Sequence, residues 1–487
     1  MIEVWIWRII HGFNGVVLVY FVMLNVVYFS TSLMAFRSLR RYARRLRSFD
    51  VDDLIASGGA PPITLLAPAY NEEATCVEST RSLLTLRYPE YEMLLINDGS
   101  KDKTMERLKE AFHLVPAARA PTAEIASAAV RGVYRSKRNP ALWVIDKENG
   151  GKADALNAGV NFCRTPLFCA MDADSLLEPE ALMRIVRPFL EESRTIAAGG
   201  IIRIANGCTV ESGVVTDVRL PKNIWAQFQV LEYLRAFLAG RMGWDALNAT
   251  FIISGAFGLF RRSMVVDVGG YSSKFTGFET VGEDIELVVH LHRHCYENRI
   301  PYRVAYVPDP VAWTECPESI KVLGRQRDRW QRGLNEVTFH HLKMLLNPRY
   351  GRIGLIAFPY FCLLEGLGPA IEFFGYVSFL LTVILGQASW LFIVCFLMAA
   401  IVLGIALSLA AIALEELSFR RYRRFGDLIR LFLLSVIEGI GYRQLNSYWR
   451  FKGFIGAIFR QKGWGKMERK GFQSPKKSEP IQSIQKK

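Results

Sequence analysis

The chain has 487 residues, of which 51% are hydrophobic and 22% are charged, and its formal net charge is +14. The length leaves room for two or three folding units, and the apolar fraction is high for a wholly soluble enzyme. Much of the positive charge flanks apolar segments, as membrane topology and anionic lipids require, so we expect no nucleic-acid partner. The eight cysteines form no C-x-x-C pair, which argues against a zinc site and a disulfide framework.

The amino-terminal region is apolar for long enough to cross a bilayer. Residues 9–36 carry no formal charge, whereas about 20 apolar residues suffice for one span. A cleaved signal peptide is the alternative, but the run is too long and leads into six arginines within residues 37–47 instead of a cleavage site. The sequence predicts a transmembrane anchor over 1–36, with its amino terminus outside, and a basic juxtamembrane linker over 37–60.

Residues 61–347 alternate short apolar runs with helical patterns. The apolar runs lie at 63–70, 91–98, 142–146 and 167–171. Strands that alternate with helices predict βαβ units and a parallel sheet, and therefore an α/β, Rossmann-like domain.

Two aspartates end the last of these runs. Asp172 and Asp174 are separated by one residue, so both follow a buried strand at the sheet edge where α/β domains bind ligands. Divalent cations that carry substrate phosphates use one or two carboxylates at such a site. An acidic loop or a helix cap is the alternative.

Further polar residues follow the other strands. Tyr70 and Glu72 follow the first strand, Asp98 ends the second, and Lys152 follows the third in a Gly-Gly-Lys sequence. Singly, each has a structural alternative as a cap, a turn residue or a surface residue. Together they describe a site for an anionic nucleotide and a metal ion.

The second half of this region adds an acidic pair. Gly255 lies in a small-residue turn, and Glu283 and Asp284 open a predicted helix. Acidic residues are favoured at a helix amino terminus by the helix dipole, so capping is the alternative role.

A later helix carries a polar and aromatic face. Gln326, Arg329 and Trp330 share one face at spacings of three and four residues. An arginine can fork onto a phosphate, and a tryptophan offers a flat apolar platform for a sugar ring.

The carboxyl-terminal part returns to membrane-like composition. Residues 373–414 carry no charge and are about twice the length of one span, with Gly386 to Ser389 suited to an external turn. The next segment is apolar but interrupted by charges, which leaves a further span and an interfacial helix both open. The predicted segments are an interfacial segment at 348–365, two transmembrane helices at 366–414, the undecided segment at 425–460 and a basic cytoplasmic tail at 461–487.

The ordered motifs resemble those of the family-two glycosyltransferases. They read Pro-Ala-Tyr-Asn-Glu-Glu, Asn-Asp-Gly-Ser, Gly-Gly-Lys, Asp-Ala-Asp, Glu-Asp and Gln-x-x-Arg-Trp, and they cover about residues 61–333. The resemblance is specifically to membrane-embedded processive polysaccharide synthases, such as cellulose, chitin, hyaluronan and poly-N-acetylglucosamine synthases. It implies a cytoplasmic catalytic domain of the GT-A fold, combined with transmembrane helices in the inner or plasma membrane.

The resemblance also implies a role for each candidate residue. Gly255 and Gln326 would lie in the substrate site, and Glu283 would belong with Asp172 and Asp284 to the catalytic group. Uracil and ribose would be bound by Tyr70, Glu72 and Asp98 with help from Lys152, and Asp172 would contact the ribose or sugar. Asp174 would bind Mg²⁺ or Mn²⁺, and Asp284 would act as the general base. Arg329 would contact the diphosphate, and Trp330 would contact the acceptor.

Two positions depart from the family pattern. Asn97 precedes Asp98 where relatives often carry two acids, and Gly282 precedes Glu283 where threonine is frequent. Neither change removes an expected carboxylate.

The leading functional hypothesis is a processive synthase that uses a UDP-sugar, extends a growing polysaccharide and threads it through the bilayer. One base without a protein nucleophile predicts single displacement with inversion, which gives a β-linkage from an α-linked donor. Transfer of one sugar to a membrane acceptor is the second hypothesis, and a catalytically silent protein of the same fold is the third. An accessory export subunit is left open.

Overall fold

The computed structural model describes residues 2–46, 58–211 and 213–461. Part of the predicted linker and almost all of the predicted basic tail therefore lie outside the described residues. The strands are β1 (Ile63–Ala69), β2 (Tyr91–Asp98), β3 (Leu114–Pro116), β4 (Val130–Ser136), β5 (Leu142–Lys147), β6 (Leu167–Ala170), β7 (Leu176–Leu177), β8 (Thr195–Ile204), β9 (Thr209–Glu211), β10 (Val214–Asp217), β11 (Gly258–Arg261) and β12 (Arg303–Thr314).

The helices either cover this sheet or form the apolar segments. The α-helices are α1 (Ile2–Leu46), α2 (Cys76–Leu83), α3 (Thr104–Phe112), α4 (Lys152–Phe162), α5 (Ala181–Ile185), α6 (Arg187–Glu191), α7 (Ile224–Tyr233), α8 (Arg241–Ala246), α9 (Arg262–Asp267), α10 (Glu283–Glu297), α11 (Ile320–His340), α12 (Gly368–Ile384), α13 (Trp390–Leu397), α14 (Leu403–Ser418), α15 (Phe425–Ile437) and α16 (Tyr442–Ile458). Shorter 3₁₀ and π-helical turns connect several of them, at Leu234–Gly240, Leu342–Met344, Pro348–Tyr350, Ile353–Ala357, Tyr360–Gly366 and Met398–Val402.

Ten of the described strands form one mixed sheet. Their order is β3–β4–β5–β2–β1–β6–β11–β8–β12–β7. The pairs β5–β2, β2–β1, β1–β6 and β8–β12 are parallel, whereas β11 runs antiparallel to both of its neighbours. The predicted α/β domain is confirmed, with antiparallel strands added to a parallel centre.

The strand order reverses between β1 and β6, and this reversal positions the site. After β1 the chain builds outward through β2 to β5, and it then returns to place β6 on the other side of β1. Loops leave β1 and β6 in opposite directions at such a point, so a crevice opens at their carboxyl ends. The motifs that follow β1, β2, β5 and β6 therefore meet at one edge.

Three helices are long and apolar enough to cross a membrane, within the part of the chain that the structure describes. They are Ile2–Arg44, Ile353–Ile384 and Trp390–Ser418. The first extends well beyond the predicted anchor because the basic residues that follow position 36 continue the same helix. The turn between the other two lies at 385–389, where the sequence predicted an external turn.

The second of these helices begins at Ile353, within the segment 348–365 that the sequence predicts to be interfacial. This candidate span contains the acidic residue Glu365. In the structure the Glu365 carboxylate accepts hydrogen bonds from the hydroxyls of Tyr28 (2.7 Å) and Tyr360 (2.6 Å), and it pairs with Arg450 (2.6 Å). Tyr360 lies on the same helical turn as Glu365, whereas Tyr28 and Arg450 lie on two other helices, and together they satisfy this charge.

The undecided region at 425–460 forms the two helices α15 and α16. Helix α16 packs closely on α11, since a side chain added at Gly453 would meet the carbonyl oxygen of Asp328 at 2.3 Å. Helix α15 instead exposes Phe425, Phe432 and Leu433. Helix α16 therefore packs against the catalytic domain, and helix α15 presents an apolar surface.

Candidate active site

Asp172 and Asp174 follow β6 at the crevice. Asp172 is half-buried and Asp174 is buried. The strand before them is fully buried because its side chains are apolar on both faces, as expected for the centre of a parallel sheet. The change from apolar to acidic residues therefore occurs where the strand leaves the core.

Tyr70 and Glu72 lie on the loop after β1, which is fastened to the loop after β2. Asn71 adopts a left-handed conformation (φ 55°), which asparagine tolerates better than most residues. Its side-chain oxygen accepts a hydrogen bond from the Lys101 amide (2.8 Å), and the Glu72 amide donates one to Thr104 (2.9 Å). Tyr70 is 46% exposed at this edge. The structure thus makes Tyr70 accessible and fixes the backbone beneath it.

Asp98 organises the Gly-Gly-Lys loop. Its Oδ1 accepts hydrogen bonds from Lys147 Nζ (2.7 Å) and the Gly150 amide (2.9 Å), and its Oδ2 accepts from the Gly151 amide (2.8 Å) and Asn149 Nδ2 (3.1 Å). These four donors hold the carboxylate in place and tie the glycine loop to the end of β2. Contact of Asp98 with uridine stays a prediction, whereas its hold on the loop is observed.

Lys147 is the residue that sequence analysis missed here. Its side chain is completely buried and also pairs with Asp154 on α4. Its position as the last residue of β5, paired in register with Asp98, was the available signal.

Lys152 balances the charge of the acidic residues. Its Nζ lies 2.6 Å from Asp172 Oδ1 and 3.4 Å from Glu283 Oε1. Burial alone would lower the pKa of Lys152, but the nearby carboxylates of Asp172, Glu283 and Asp284 outweigh burial and raise this pKa. Burial raises the pKa of Glu283, although Lys152 and Arg329 act against that rise. The ammonium group therefore remains charged at neutral pH.

Asp284 is held by the backbone at the start of α10. Its Oδ2 accepts a hydrogen bond from the Gly255 amide (3.0 Å), and its Oδ1 accepts one from the Ile285 amide (2.9 Å). Each oxygen retains a second lone pair, and the residue is only half-buried. The group is thus oriented and still able to take a proton.

Gly255 brings the Lys152 and Asp284 sides of the site together. A Cβ at this position would lie 2.7 Å from Lys152 Nζ, so a side chain here would displace the lysine ammonium group. A small pocket joins these predicted residues to the core, and it is lined by Lys152, Leu156, Ala170, Ile253, Ser254, Gly255, Phe260, Tyr271, Glu283 and Asp284.

The three residues predicted to share one face of helix α11 differ in how far they are exposed to solvent. Gln326 is buried, Arg329 is half-buried and Trp330 is 37% exposed. The guanidinium of Arg327 lies over the Trp330 ring at 4.3 Å from the ring centroid, and it pairs with Glu232 (2.7 Å). Arg327 therefore stacks on the ring of Trp330, three residues further along the helix, and is itself held by Glu232, which is distant in sequence.

The acidic pair docks directly on α11. A Cβ on Gly333 would lie 2.9 Å from the Gly282 Cα, so the two backbones touch. Glu336 accepts hydrogen bonds from the Thr280 hydroxyl (2.7 Å) and the Val281 amide (3.2 Å). Gly282, which departs from the usual threonine, thus lies at this contact. Sequence analysis missed both Gly333 and Glu336, although Gly333 lies only three residues after Trp330.

The acidic residues suit a metal ion that takes few protein ligands. Among the described residues, no cluster of three or more His, Cys, Asp or Glu side chains could hold a metal. Asp172 and Asp174 together provide hard oxygen donors, which matches an ion that completes its shell with phosphate oxygens and water.

A family model described as glycosyltransferase like family 2 matches residues 61–333. The chain belongs to this family. The match covers more than half of the chain and includes every candidate site residue, and the resemblance stated from the motifs is thereby confirmed.

Curated relatives of this family member include synthases of one polysaccharide. The chain is 27% identical to a poly-β-1,6-N-acetyl-D-glucosamine synthase of Staphylococcus aureus (strain COL), over 66% of this chain and 63% of that protein. It is 30% identical to the synthase of the same name from Staphylococcus epidermidis, over 56% of this chain and 55% of that protein. The chain thus spans less than two thirds of the length of these relatives.

A solved structure with a related outline is the mannosyltransferase PcManGT from Pyrobaculum calidifontis, in complex with GDP-Man and Mn²⁺. It shares 14% identity over 92% of this chain and 100% of that chain, with a TM-score of 0.49. At this level of similarity we draw no conclusion about function from it.

We predict that Gly333→Ala lowers transfer activity roughly 10- to 100-fold, because small displacements of a reacting group can have effects of that size. The new methyl group would push the loop of Asp284 away from α11, whereas donor affinity should change little. Steady-state kinetics would separate turnover from KM. Gly426→Ala is the matched control, since a Cβ there meets nothing within 4 Å, and equal activity of both variants would contradict the docking role.

Proposed function

We propose that the chain is a membrane-bound, inverting glycosyltransferase that uses UDP-N-acetylglucosamine to extend a β-linked polysaccharide. The observation that carries the proposal is the grouping of Lys152, Gly255, Glu283 and Asp284 around one pocket, with Asp172 paired to Lys152. The names of the relatives support N-acetylglucosamine as the sugar and a β-1,6 linkage. The three apolar helices support a membrane location.

In this proposal Asp284 is the general base. Its carboxylate would remove the proton of the acceptor hydroxyl as that oxygen attacks the anomeric carbon of the donor. The bond to the diphosphate breaks at the same time, and UDP leaves with the electron pair. A single displacement of this kind inverts the anomeric centre, so an α-linked donor gives a β-linked product.

Other residues would hold the donor and its leaving group. Tyr70, Glu72 and Asp98 are proposed to bind uridine, while Arg329 faces the negative charge that develops on the diphosphate. A bound Mg²⁺ or Mn²⁺ ion would supply further positive charge at Asp174. Glu283 is proposed to position Lys152, since it is buried and contacts that ammonium group.

The orientation in the membrane is also a proposal. The catalytic domain would lie on the cytoplasmic side of the inner or plasma membrane, because arginines at 37–47 follow the first apolar helix. The growing polysaccharide would be threaded across the bilayer, alone or with an accessory export subunit.

The proposal is tested by measuring UDP release from the purified full-length protein with a panel of UDP-sugars. We expect release with UDP-N-acetylglucosamine and an N-acetylglucosamine polymer as the product. Release with only a different UDP-sugar would overturn the choice of donor, and no release with any UDP-sugar would overturn the proposed activity.

We predict that Asp284→Asn lowers transfer by at least about 10²-fold, the usual contribution of a general base. UDP binding, measured by calorimetry, should persist because uridine is bound by residues on other loops. Asp267→Asn is a matched control on an exposed aspartate. Retention of more than about a tenth of wild-type turnover would remove Asp284 from the role of base.

We predict that transfer needs a divalent cation and that Asp174→Ala weakens UDP binding in the presence of Mn²⁺. Such a site has only one or two protein carboxylates, so the loss of one is serious. Activity should disappear in excess EDTA and return when Mn²⁺ is restored. Undiminished turnover in EDTA would show that no metal is required.

We predict that Trp330→Ala reduces polymer formation much more than it reduces hydrolysis of the UDP-sugar by water. A half-exposed ring beside the site can hold the acceptor end of the glycan, which hydrolysis does not use. Product length is measured by gel and hydrolysis by UDP release, with Trp390→Ala as the control on an exposed tryptophan. Equal losses of both activities in a folded variant would count against the platform and favour transfer of a single sugar.

A further inference from the structure

A second cavity lies away from the crevice, where the last apolar helix turns back towards the catalytic domain. It has a volume of about 460 Å³. It is formed by the end of α14, the linker 419–424 and the start of α15, and its lining residues are Glu416, Leu417, Phe419, Arg420, Tyr422, Arg423 and Leu428. We call it the linker cavity.

Two exposed arginines give the linker cavity its charge. Arg420 uses its Nε to hold the Glu416 carbonyl (3.1 Å). Among the described residues Arg423 makes no ion pair or hydrogen bond, and its side chain is exposed. Guanidinium groups bind phosphate in a forked geometry that suits an oxyanion. The charge of the cavity therefore favours a phosphate group.

The single acid of the lining favours a ligand that also donates hydrogen bonds. The Oε1 atom of Glu416 is buried and has no hydrogen-bond partner in the part of the chain described by the structure. Leaving such an atom unsatisfied costs free energy. A hydroxyl group next to the phosphate, as in a glycerol headgroup, would satisfy it.

The rim of the cavity is apolar and continuous with the membrane-like surface. Leu417 is 68% exposed at the end of the helix Trp390–Ser418, and Phe425 is 77% exposed at the start of α15. Further along α15, Phe432 and Leu433 are also more than half exposed. This surface is unfavourable in water but favourable against acyl chains at a membrane interface.

The linker is fastened to the catalytic sheet next to the acidic loop. Arg421 forms a forked pair with Glu178 (2.6 and 3.2 Å), which directly follows β7. Glu415 pairs with Arg203 on β8 (2.6 Å), and both side chains are buried. A ligand in the linker cavity would thus order a segment that contacts the strand after Asp172 and Asp174.

We propose that the linker cavity binds the phosphate and glycerol headgroup of an anionic phospholipid, with the phosphate on Arg420 and Arg423 and the acyl chains along the exposed face of α15. A soluble phosphate compound shares the charge but not the acyl chains. The apolar rim is the observation that favours the lipid.

The test is binding of phosphatidylglycerol to the delipidated full-length protein in detergent, measured by native mass spectrometry. We expect wild-type protein to retain phosphatidylglycerol in preference to phosphatidylcholine. Arg420→Ala with Arg423→Ala should weaken that binding roughly 10- to 30-fold, at about 1 kcal/mol for each arginine near a membrane surface. The control, Arg138→Ala with Arg299→Ala, removes the same charge from exposed positions in the catalytic domain and should bind as wild type does.

Three outcomes would overturn the proposal: equal retention of both lipids, equal binding by the cavity variant and the control, or displacement of the lipid by inorganic phosphate or glycerol phosphate. The single variant Arg423→Ala provides a folded comparison, because the Arg423 side chain makes no described hydrogen bond or ion pair that the substitution would remove. It should also bind phosphatidylglycerol more weakly than wild type. Binding is measured without any sugar nucleotide, so its failure would leave the proposed transferase activity untouched.

Discussion

The candidate site depends on one half-buried positive charge, the ammonium group of Lys152. This group pairs with Asp172 and Glu283 (2.6 and 3.4 Å), and the nearby carboxylates of Asp172, Glu283 and Asp284 raise its pKa. Lys152 can hold this position because Gly255 leaves room for its ammonium group and the Asp98-bound glycine loop starts its helix. A site with the same carboxylates but no such cation would leave their mutual repulsion unopposed.

Helix α11 connects that charge-balanced site to the membrane-like part of the chain. One of its faces contacts Gly282 through Gly333, and another is packed against α16 near Gly453. Gln331 donates hydrogen bonds to the carbonyls of Glu365 and Gly366 on a candidate span (3.0 and 3.1 Å). The loop of the proposed base, the proposed aromatic platform and the candidate span are therefore attached to one helix, which would suit an enzyme that holds an acceptor in register with its donor.

The sequence predicted the parts of this arrangement that depend on local pattern. Strand ends, the positions of Asp172 and Asp284, and the alternation of strands and helices follow from periodicity and turn chemistry within short windows. Glu336 and Arg327 could not be predicted in the same way, because their roles depend on Thr280 and Glu232, which are distant in sequence. The same holds for Glu365, whose partners Tyr28 and Arg450 are also distant in sequence.

In the proposed mechanism one oriented carboxylate, without a protein nucleophile, promotes a single displacement. The most direct test is the anomeric configuration of the product formed by the purified protein from an α-linked UDP-sugar, determined by proton NMR from the coupling between H1 and H2. We expect a β-linkage. An α-linkage would contradict it, because retention requires a second displacement and hence a nucleophile that Asp284, acting as a base, does not provide.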